Sequence, residues 1–351
     1  MTGGLLVIGG GPAGAAAAIS AARAGHQVRL VERTAAPSEP VCGQFLGPDA
    51  TIALARIGLH PADLGAVPID RLMLAHGSTQ ARVRLPFTGW SLPRSVLDAA
   101  LLEKAAAAGA TIARGRAVRA VARDGEAWRV RLDDGAELQA RQVVLASGKH
   151  GLRGFARPAG GSVGVKLHLR LAAPLDATVL LPGSGFYAGL QPGPDGLANL
   201  CAAFAHTPPR DAADFLARVA AASALGARLL AGAVPAQARP GAIGGVPYGW
   251  MFAGPEDGVF RIGDQFAVVP SFCGDGVAMA LAAGLALADG LATGPAAFHA
   301  ALRRRLARPM RWAAPTAALF AHAPGLLVRA AALLPGGVRR VAAGARVRLV
   351  G

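Results

Sequence analysis

The first third of the chain alternates short, wholly apolar runs with longer segments in which small apolar residues recur at helical spacing. GLLVIGG is a continuous apolar run, the pattern of a strand buried on both faces of a parallel sheet. It leads into GPAGAAAAISAARAG, an Ala-rich segment that predicts a helix ending at Gly25, and then into a second apolar strand, QVRLVE. One β–α–β unit is therefore complete within roughly thirty residues. LDAALLEKAAAAGA (97–110) predicts another helix closed by a glycine. TIARGRAVRAVARDG, AWRVRLDDG and AELQARQVVLASG read as strands separated by Asp-Gly turns, a meander that ends on the apolar strand 143–146.

From about 151 to 260 the period shortens. SVGVKLHLRL, ATVLLPG, GFYAGLQPG and GLANLCAAF predict a mostly antiparallel sheet, followed by one helix (212–224) and a Pro/Gly-rich return. GVFRIGD (258–264) is again a buried strand, running into a long apolar helix at 274–291. Asp275, several glycines and Asp289 interrupt that segment, which makes it a buried helix rather than a membrane span. Beyond 300 the chain is rich in Arg, Ala and Leu and predicts two or three helices. Parallel-sheet segments on both sides of a β-rich middle imply an α/β fold of interleaved domains. A Rossmann-like nucleotide-binding domain takes residues 1–70, 94–150 and 256–298. A mostly antiparallel β-sheet substrate domain takes 71–93 and 151–255, and a C-terminal helical segment takes 299–351.

Composition narrows the class. With 53% hydrophobic and 16% charged residues over 351 positions, the chain can bury a large core and is not disordered. The net charge of +15, carried mainly by Arg, favours acidic partners, although an Arg-rich surface alone produces the same number. The basic, partly amphipathic C-terminal run could meet an acidic carrier protein or an anionic membrane. Nucleic acid is not expected, since no RNA-binding module or aromatic-interleaved basic patch is present. Three scattered cysteines, Cys42, Cys201 and Cys273, make neither a disulfide framework nor a metal site. A cytoplasmic setting follows, with peripheral membrane contact through the C-terminus as the variant. The N-terminal apolar run lacks a basic flank and a cleavage site, so it reads as a strand and not a signal peptide.

The chemistry starts with Gly9-x-Gly11-x-x-Gly14, set between the first strand and first helix, and Glu32 at the end of the second strand. Gly9 permits the tight turn, Gly11 lets a pyrophosphate approach, Gly14 packs helix on strand, and Glu32 takes a ribose hydroxyl pair. The helix N-terminus adds N–H donors. VVLASG (143–148), ending in Gly148, and FRIGDQF (260–266), with Gly263 and Asp264, resemble flavoprotein elements, and they favour FAD over NAD. Gly274, Asp275 and Gly276 open the next helix, whose positive end would face the flavin ring.

Taken together, GGGPAG…E, SLPRSVLDAALLEKAAAAGA, VVLASG, RIGDQ and the P-x-x-x-G-x-G run resemble the superfamily of FAD-dependent aromatic hydroxylases and geranylgeranyl reductases. VCGQFLGP resembles its reductase branch and a bacterial, polyketide-associated set of FAD oxidoreductases. ASGKHGLRG, VGVKLHL and FYAGLQPGPDGLANLC resemble that polyketide-associated set more closely. The resemblance implies that Arg94 approaches the FAD phosphates and that Cys42-Gly43 lies beside the isoalloxazine. The expected cofactor residues are Gly9, Gly11, Gly14, Glu32, Arg33, Cys42, Gly43, Arg94, Val118, Gly148, Gly263, Asp264, Gly274, Asp275 and Gly276. Ser147-Gly148-Lys149 replaces the hydroxylases' Asp-Gly motif, Ser271 stands where many relatives have a proline, and no second GxGxxG is present. The expected electron donor is therefore either transiently bound NAD(P)H or a partner reductase. The tryptophan motif of flavin halogenases is absent.

Two reactions fit such a fold: hydroxylation of a lipophilic or aromatic, polyketide-like small molecule, the first expectation, and reduction of carbon–carbon double bonds, the second. Lys166 and His168, at i and i+2 of a predicted strand, share one face and are the candidate acid–base pair, with Cys42 as a further catalytic candidate. Tyr187, Tyr248, Trp250 and Cys273 are candidate pocket walls, and Cys42 and Cys273 are expected on the same side of the flavin.

Overall fold

The computed structural model describes residues 4–155, 157–344 and 346–347. The apolar runs form a five-stranded parallel sheet in the order Phe260–Arg261, Gln142–Leu145, Leu5–Ile8, Val28–Glu32, Thr111–Arg114. Leu5–Ile8 is central and buried along its whole length, which accounts for its uninterrupted hydrophobicity. Helices Pro12–Arg23, Arg94–Ala107 and Gly276–Leu285 share one core with this sheet, and their alanines and glycines let the helices approach closely. A meander of Val118–Asp124, Ala127–Leu132 and Glu137–Ala140 contributes Trp128 and Val130 to a separate core with Leu6, Ile8 and Val143. Thr111–Arg114, expected to open the meander, pairs instead with Val28–Glu32 and extends the parallel sheet.

The alternating segments build a nine-stranded sheet. Its order is Val234–Pro235, Ser162–Arg170, Leu197–Phe204, Phe186–Pro192, Thr178–Gly183, Val67–His76, Thr79–Ser91, Phe45–Leu46, with Gly241–Val246 also on Ser162–Arg170. All pairings are antiparallel except that of Thr178–Gly183 with Val67–His76. One face carries Val165, Leu167, Leu169, Val179 and Leu190 against Phe215 and Val219 of helix Ala212–Ala221. The other face carries Lys166, His168, Thr178 and Gln191, the opposite phase of the same period-2 pattern. The sheet begins at Phe45 and Val67, so the domains interleave earlier than residue 71.

Helix boundaries also shift. The single helix expected at 212–224 is two, Ala212–Ala221 and Ala224–Leu230, because Ser223 caps the second by accepting from Gly226 N at 3.0 Å. The expected long helix at 274–291 divides into Gly276–Leu285 and Leu287–Leu291. Gly294–His322 runs across the expected boundary at 299, and Pro324–Leu333 and Pro335–Gly344 follow it. These last helices lay Phe320, Val328 and Ala331 on Leu74 and Ala81 of the large sheet. Their far end is tied down twice: Arg346 Nη1 donates to Asp275 Oδ1 at 2.5 Å, and Val347 N donates to Asp49 Oδ2 at 2.9 Å. Among the described residues no single helix is long and apolar enough to cross a membrane.

A Cβ on Gly14 would fall well inside contact of the Gly9 carbonyl oxygen and 3.1 Å from Ala146 Cβ. Gly14→Val should therefore cost about 1–3 kcal/mol or more through overpacking, seen as a lowered thermal midpoint in calorimetry. An unchanged midpoint would mean that helix and strand can part without cost.

Candidate active site

A cavity of about 1160 Å³ runs from the turn after Leu5–Ile8 to the large sheet and the C-terminal helices. That exceeds the roughly 300–1,000 Å³ of a pocket for one drug-sized ligand. At its first end, Gly9, Gly10 and Gly11 lead into helix Pro12–Arg23. Glu32 Oε2 accepts from Gly10 N at 2.7 Å, while Oε1 accepts from Thr34 N at 2.8 Å and Thr34 Oγ1 at 2.7 Å, so the carboxylate is fixed at the cavity wall. The Arg94 guanidinium lies 3.4 Å from where a Gly11 Cβ would stand. Burial alone would lower its pKa, but Asp98, 2.7 Å away, and Cys42 hold it up, and it stays cationic. Backbone N–H groups at a helix start, a glycine turn that side chains would obstruct and a half-buried cation fit the pyrophosphate of a dinucleotide. Arg33 and Val118 line the same end.

Gly148, Gly263 and Asp264 line the middle. Lys149, outside the expected set, holds Asp264 Oδ2 at 3.2 Å and donates to Val41 O at 3.4 Å. Asp264 raises the Lys149 pKa against the effect of burial, so the ammonium stays charged. Cys42, Gly43, Cys273, Gly274 and Gly276 all line the cavity, which brings the two Cys-Gly segments to one place. Their contact depends on Gly274, whose φ of +70° is left-handed and whose Cβ would stand 2.6 Å from the Phe45 ring. Burial pushes the Cys273 thiol up, with Asp275 adding to it. Tyr187, Tyr248 and Ser271 form a hydroxyl cluster there: Tyr187 Oη meets Ser271 Oγ and accepts from Ser271 N at 2.9 Å.

Five expected residues lie elsewhere. Lys166 and His168 do project from the cavity-side face of the sheet, but segment Glu39–Gln44 lies between them and the cavity. Lys166 is 3% exposed, donates to Glu39 Oε2 at 2.6 Å and reaches Pro40 O at 3.4 Å. His168 Nε2 sits 3.2 Å from Gln44 Nε2. The period-2 pattern identifies the face of a strand and cannot reveal a distant segment laid over it. Asp275 turns away from the cavity to Arg346, 71 residues on, and burial pushes its carboxyl up to about 7 with Arg346 opposing. Trp250 packs edge-on to Phe252 with ring centroids 6.5 Å apart and does not line the cavity. Gly14 packs helix on strand, as its place in the fingerprint requires. The sequence reading missed the C-terminal helices, which supply Phe320, Leu327, Leu334 and Val338 to the wall. The available signal was apolar spacing between the arginines.

Burial would raise the Glu39 carboxyl, but Lys166 and Ser95 outweigh it and hold it at about 2. A carboxyl depressed in the fold stabilises it above the unfolded pKa of 4.5, and that contribution is lost as pH falls towards about 2. Glu39→Gln should lower the thermal midpoint at neutral pH and flatten its fall over that acid range. If Lys166 were instead a free catalytic amine, the substitution would leave the acid profile unchanged.

Residues 4–162 match the family model described as an FAD binding domain. The menaquinone reductase of Mycolicibacterium smegmatis is 35% identical over 157 residues, covering 41% of this chain and 37% of that protein. The digeranylgeranylglycerophospholipid reductase of Methanoculleus marisnigri is 32% identical over 206 residues, covering 55% of this chain and 50% of that protein. These matches thus span half or less of the relatives' own lengths. The flavin-dependent brominase Bmp2 superposes with a TM-score of 0.80 at 19% identity, covering 98% of this chain and 94% of that one. The glycine turn, Glu32 and Arg94 all lie in the matched segment: the chain carries an FAD binding domain over residues 4–162 and has the fold shared by flavin-dependent halogenases and geranylgeranyl reductase-like proteins.

Proposed function

We propose that this chain is an FAD-dependent oxidoreductase that reduces carbon–carbon double bonds in a lipophilic small molecule. The observation that carries this reading is the chemistry of the chamber beyond Cys42-Gly43. Its apolar wall includes Leu72, Leu180 and Phe320, and its polar groups at that end are the hydroxyls and thiol of Tyr187, Tyr248, Ser271 and Cys273. Burial raises the pKa values of Tyr187, Tyr248 and Cys273, so each keeps its proton at neutral pH. Reduced FAD, when bound, would supply a hydride equivalent, and Tyr187 Oη, with Ser271 Oγ beside it, would give the matching proton. Relatives named as reductases of menaquinone and of a phospholipid support this reading.

Hydroxylation was the first expectation from sequence, with Lys166 and His168 as an acid–base pair that could serve either reaction; Glu39 holds Lys166 at 2.6 Å. We propose NAD(P)H, bound transiently, or a partner reductase as the electron donor. A peripheral membrane contact is supported by Leu326, Leu333 and Leu334, exposed at 63%, 80% and 67%, beside Arg329, Arg339 and Arg340.

The test is single-turnover oxidation of the photoreduced holoprotein by a prenylated naphthoquinone without oxygen, with product mass as the readout once any quinol has been reoxidised to the quinone. The expected product gains two hydrogens, and Tyr187→Phe should slow its formation by about 10²-fold or more with FAD content unchanged. A product that gains an oxygen atom, formed only in air, would establish hydroxylation in its place. Full turnover by Cys42→Ala would leave Cys42 a packing role.

A further inference from the structure

The register of the large sheet places four polar residues in one row across adjacent strands. His168 pairs with Asn199 and Asn199 with Gln191. Val179 pairs with Leu190, which sets Thr178 opposite Gln191, and Thr178 in turn pairs with Leu72. Polarity on this face therefore begins under the Glu39–Gln44 segment and ends inside the chamber. Asn199 is 1% exposed, and Gln191 and Thr178 are 7% exposed. Asn199 Oδ1, Gln191 Oε1 and Thr178 Oγ1 are buried with no hydrogen-bond partner among the described residues. Asn199 has a structural task, since its Nδ2 donates to Cys42 O at 3.2 Å. Gln191 and Thr178 make no such bond and line the cavity, and Gln191 Nε2 lies 3.9 Å from where a Gly43 Cβ would stand. Buried polar atoms persist unpaired only where something else satisfies them.

Charge narrows what that partner is. Among the described residues, the cationic side chains around this end each already meet a carboxyl group: Lys166 with Glu39 at 2.6 Å, Lys149 with Asp264 at 3.2 Å, Arg94 with Asp98 at 2.7 Å and Arg346 with Asp275 at 2.5 Å. A carboxylate or phosphate brought to Gln191 would give up its hydration for an amide and a hydroxyl, with no unpaired cation among the described residues there to receive it. A neutral hydroxyl or carbonyl is well served, because the amide and the threonine hydroxyl can each donate and accept. Past this row the wall is apolar, with Leu72 and Leu180 on the sheet and Phe320 and Leu334 on the helices.

We propose that Thr178 and Gln191 are a head-group ledge that selects an uncharged hydroxyl- or carbonyl-bearing ring next to Cys42-Gly43, with the apolar remainder of the molecule under the C-terminal helices. The inference deepens the reading of this chamber as the substrate site and assigns the residues that read the substrate's polar end.

Calorimetric titration of the FAD-loaded protein with 2-naphthol, naphthalene and 2-naphthoate tests it by equilibrium binding, without turnover. Naphthol should bind about tenfold more tightly than naphthalene, the size of one or two net hydrogen bonds, and naphthoate should bind most weakly. Thr178→Val and Gln191→Leu should each remove most of the naphthol advantage while leaving naphthalene affinity within about twofold. Naphthoate binding as tightly as naphthol, or naphthol no better than naphthalene, would overturn the ledge on the wild-type protein alone. So would a Gln191→Leu variant that keeps the preference. Failure of electron transfer to any alkene would overturn the reductase reading and leave this binding pattern intact, so the two ideas fail separately.

Discussion

The position of Cys42-Gly43 depends on one ion pair, between the buried Lys166 and Glu39. Segment Glu39–Gln44 has almost no secondary structure of its own, yet it separates the nucleotide-binding turn from the large sheet. Three side chains of the sheet hold it: Lys166 through Glu39 and Pro40, His168 through Gln44, and Asn199 through the Cys42 carbonyl. Of these, Lys166 to Glu39 is the interaction that could not be lost quietly, because a 3% exposed ammonium without its carboxylate would be an uncompensated buried charge. Glu39 also accepts from Ser95 N at 2.9 Å, at the start of helix Arg94–Ala107, so one carboxylate ties the sheet to the helix that carries Arg94. The two ends of the cavity are thereby set relative to each other by a contact at the cavity wall.

A second tie works from the opposite side. The C-terminal helices leave the nucleotide-binding half at Gly294, cross the large sheet and return, where Arg346 meets Asp275 and Val347 meets Asp49. Arg346 also lies over the Phe87 ring, 4.3 Å from its centroid, on the large sheet. The roof is thus closed at both ends on the same domain. The chamber beneath it is bounded by the sheet, the Glu39–Gln44 segment and the roof, each contributed by a different part of the chain. Its apolar surface follows from this assembly and not from any single element.

Legibility in the sequence followed the range of the cause. The glycine turn, the strand before it and Glu32 were readable because backbone conformation, close packing and one carboxylate over 32 residues determine them locally. The interleaving of two domains was readable because parallel-type and alternating strands have different hydrophobic periods. Lys166 and His168 were assigned to the correct face, but what covers that face comes from 127 and 124 residues away, at Glu39 and Gln44. Asp275 has the spacing of a helix cap and is instead used by Arg346, again a distant partner. The Arg-, Ala- and Leu-rich C-terminal run was expected to form two or three helices. Whether the apolar side of such a helix meets a packed core or lines a chamber is a tertiary fact that periodicity does not encode.

The same geometry separates the protein's overall charge from the chemistry of its chamber. A net charge of +15 suggests a site that attracts anions, and at the nucleotide end Arg33, Arg94 and the helix start do face the place where phosphates belong. At the sheet end the described cations Lys149, Lys166 and Arg346 each meet a carboxyl group, and the groups left over are hydroxyls, a thiol and amides. One cavity thus holds two electrostatic regimes, divided at Cys42-Gly43: a cationic cradle for the cofactor's phosphates and a neutral, largely apolar space for a second molecule. Such a division favours loading a charged dinucleotide in a single orientation, because exchanging its ends would bury phosphates among Leu72, Leu180 and Phe320 without a counter-charge. It also frees the second molecule from competing with phosphates for the same cations, so apolar surface and a few hydrogen bonds can set its selection.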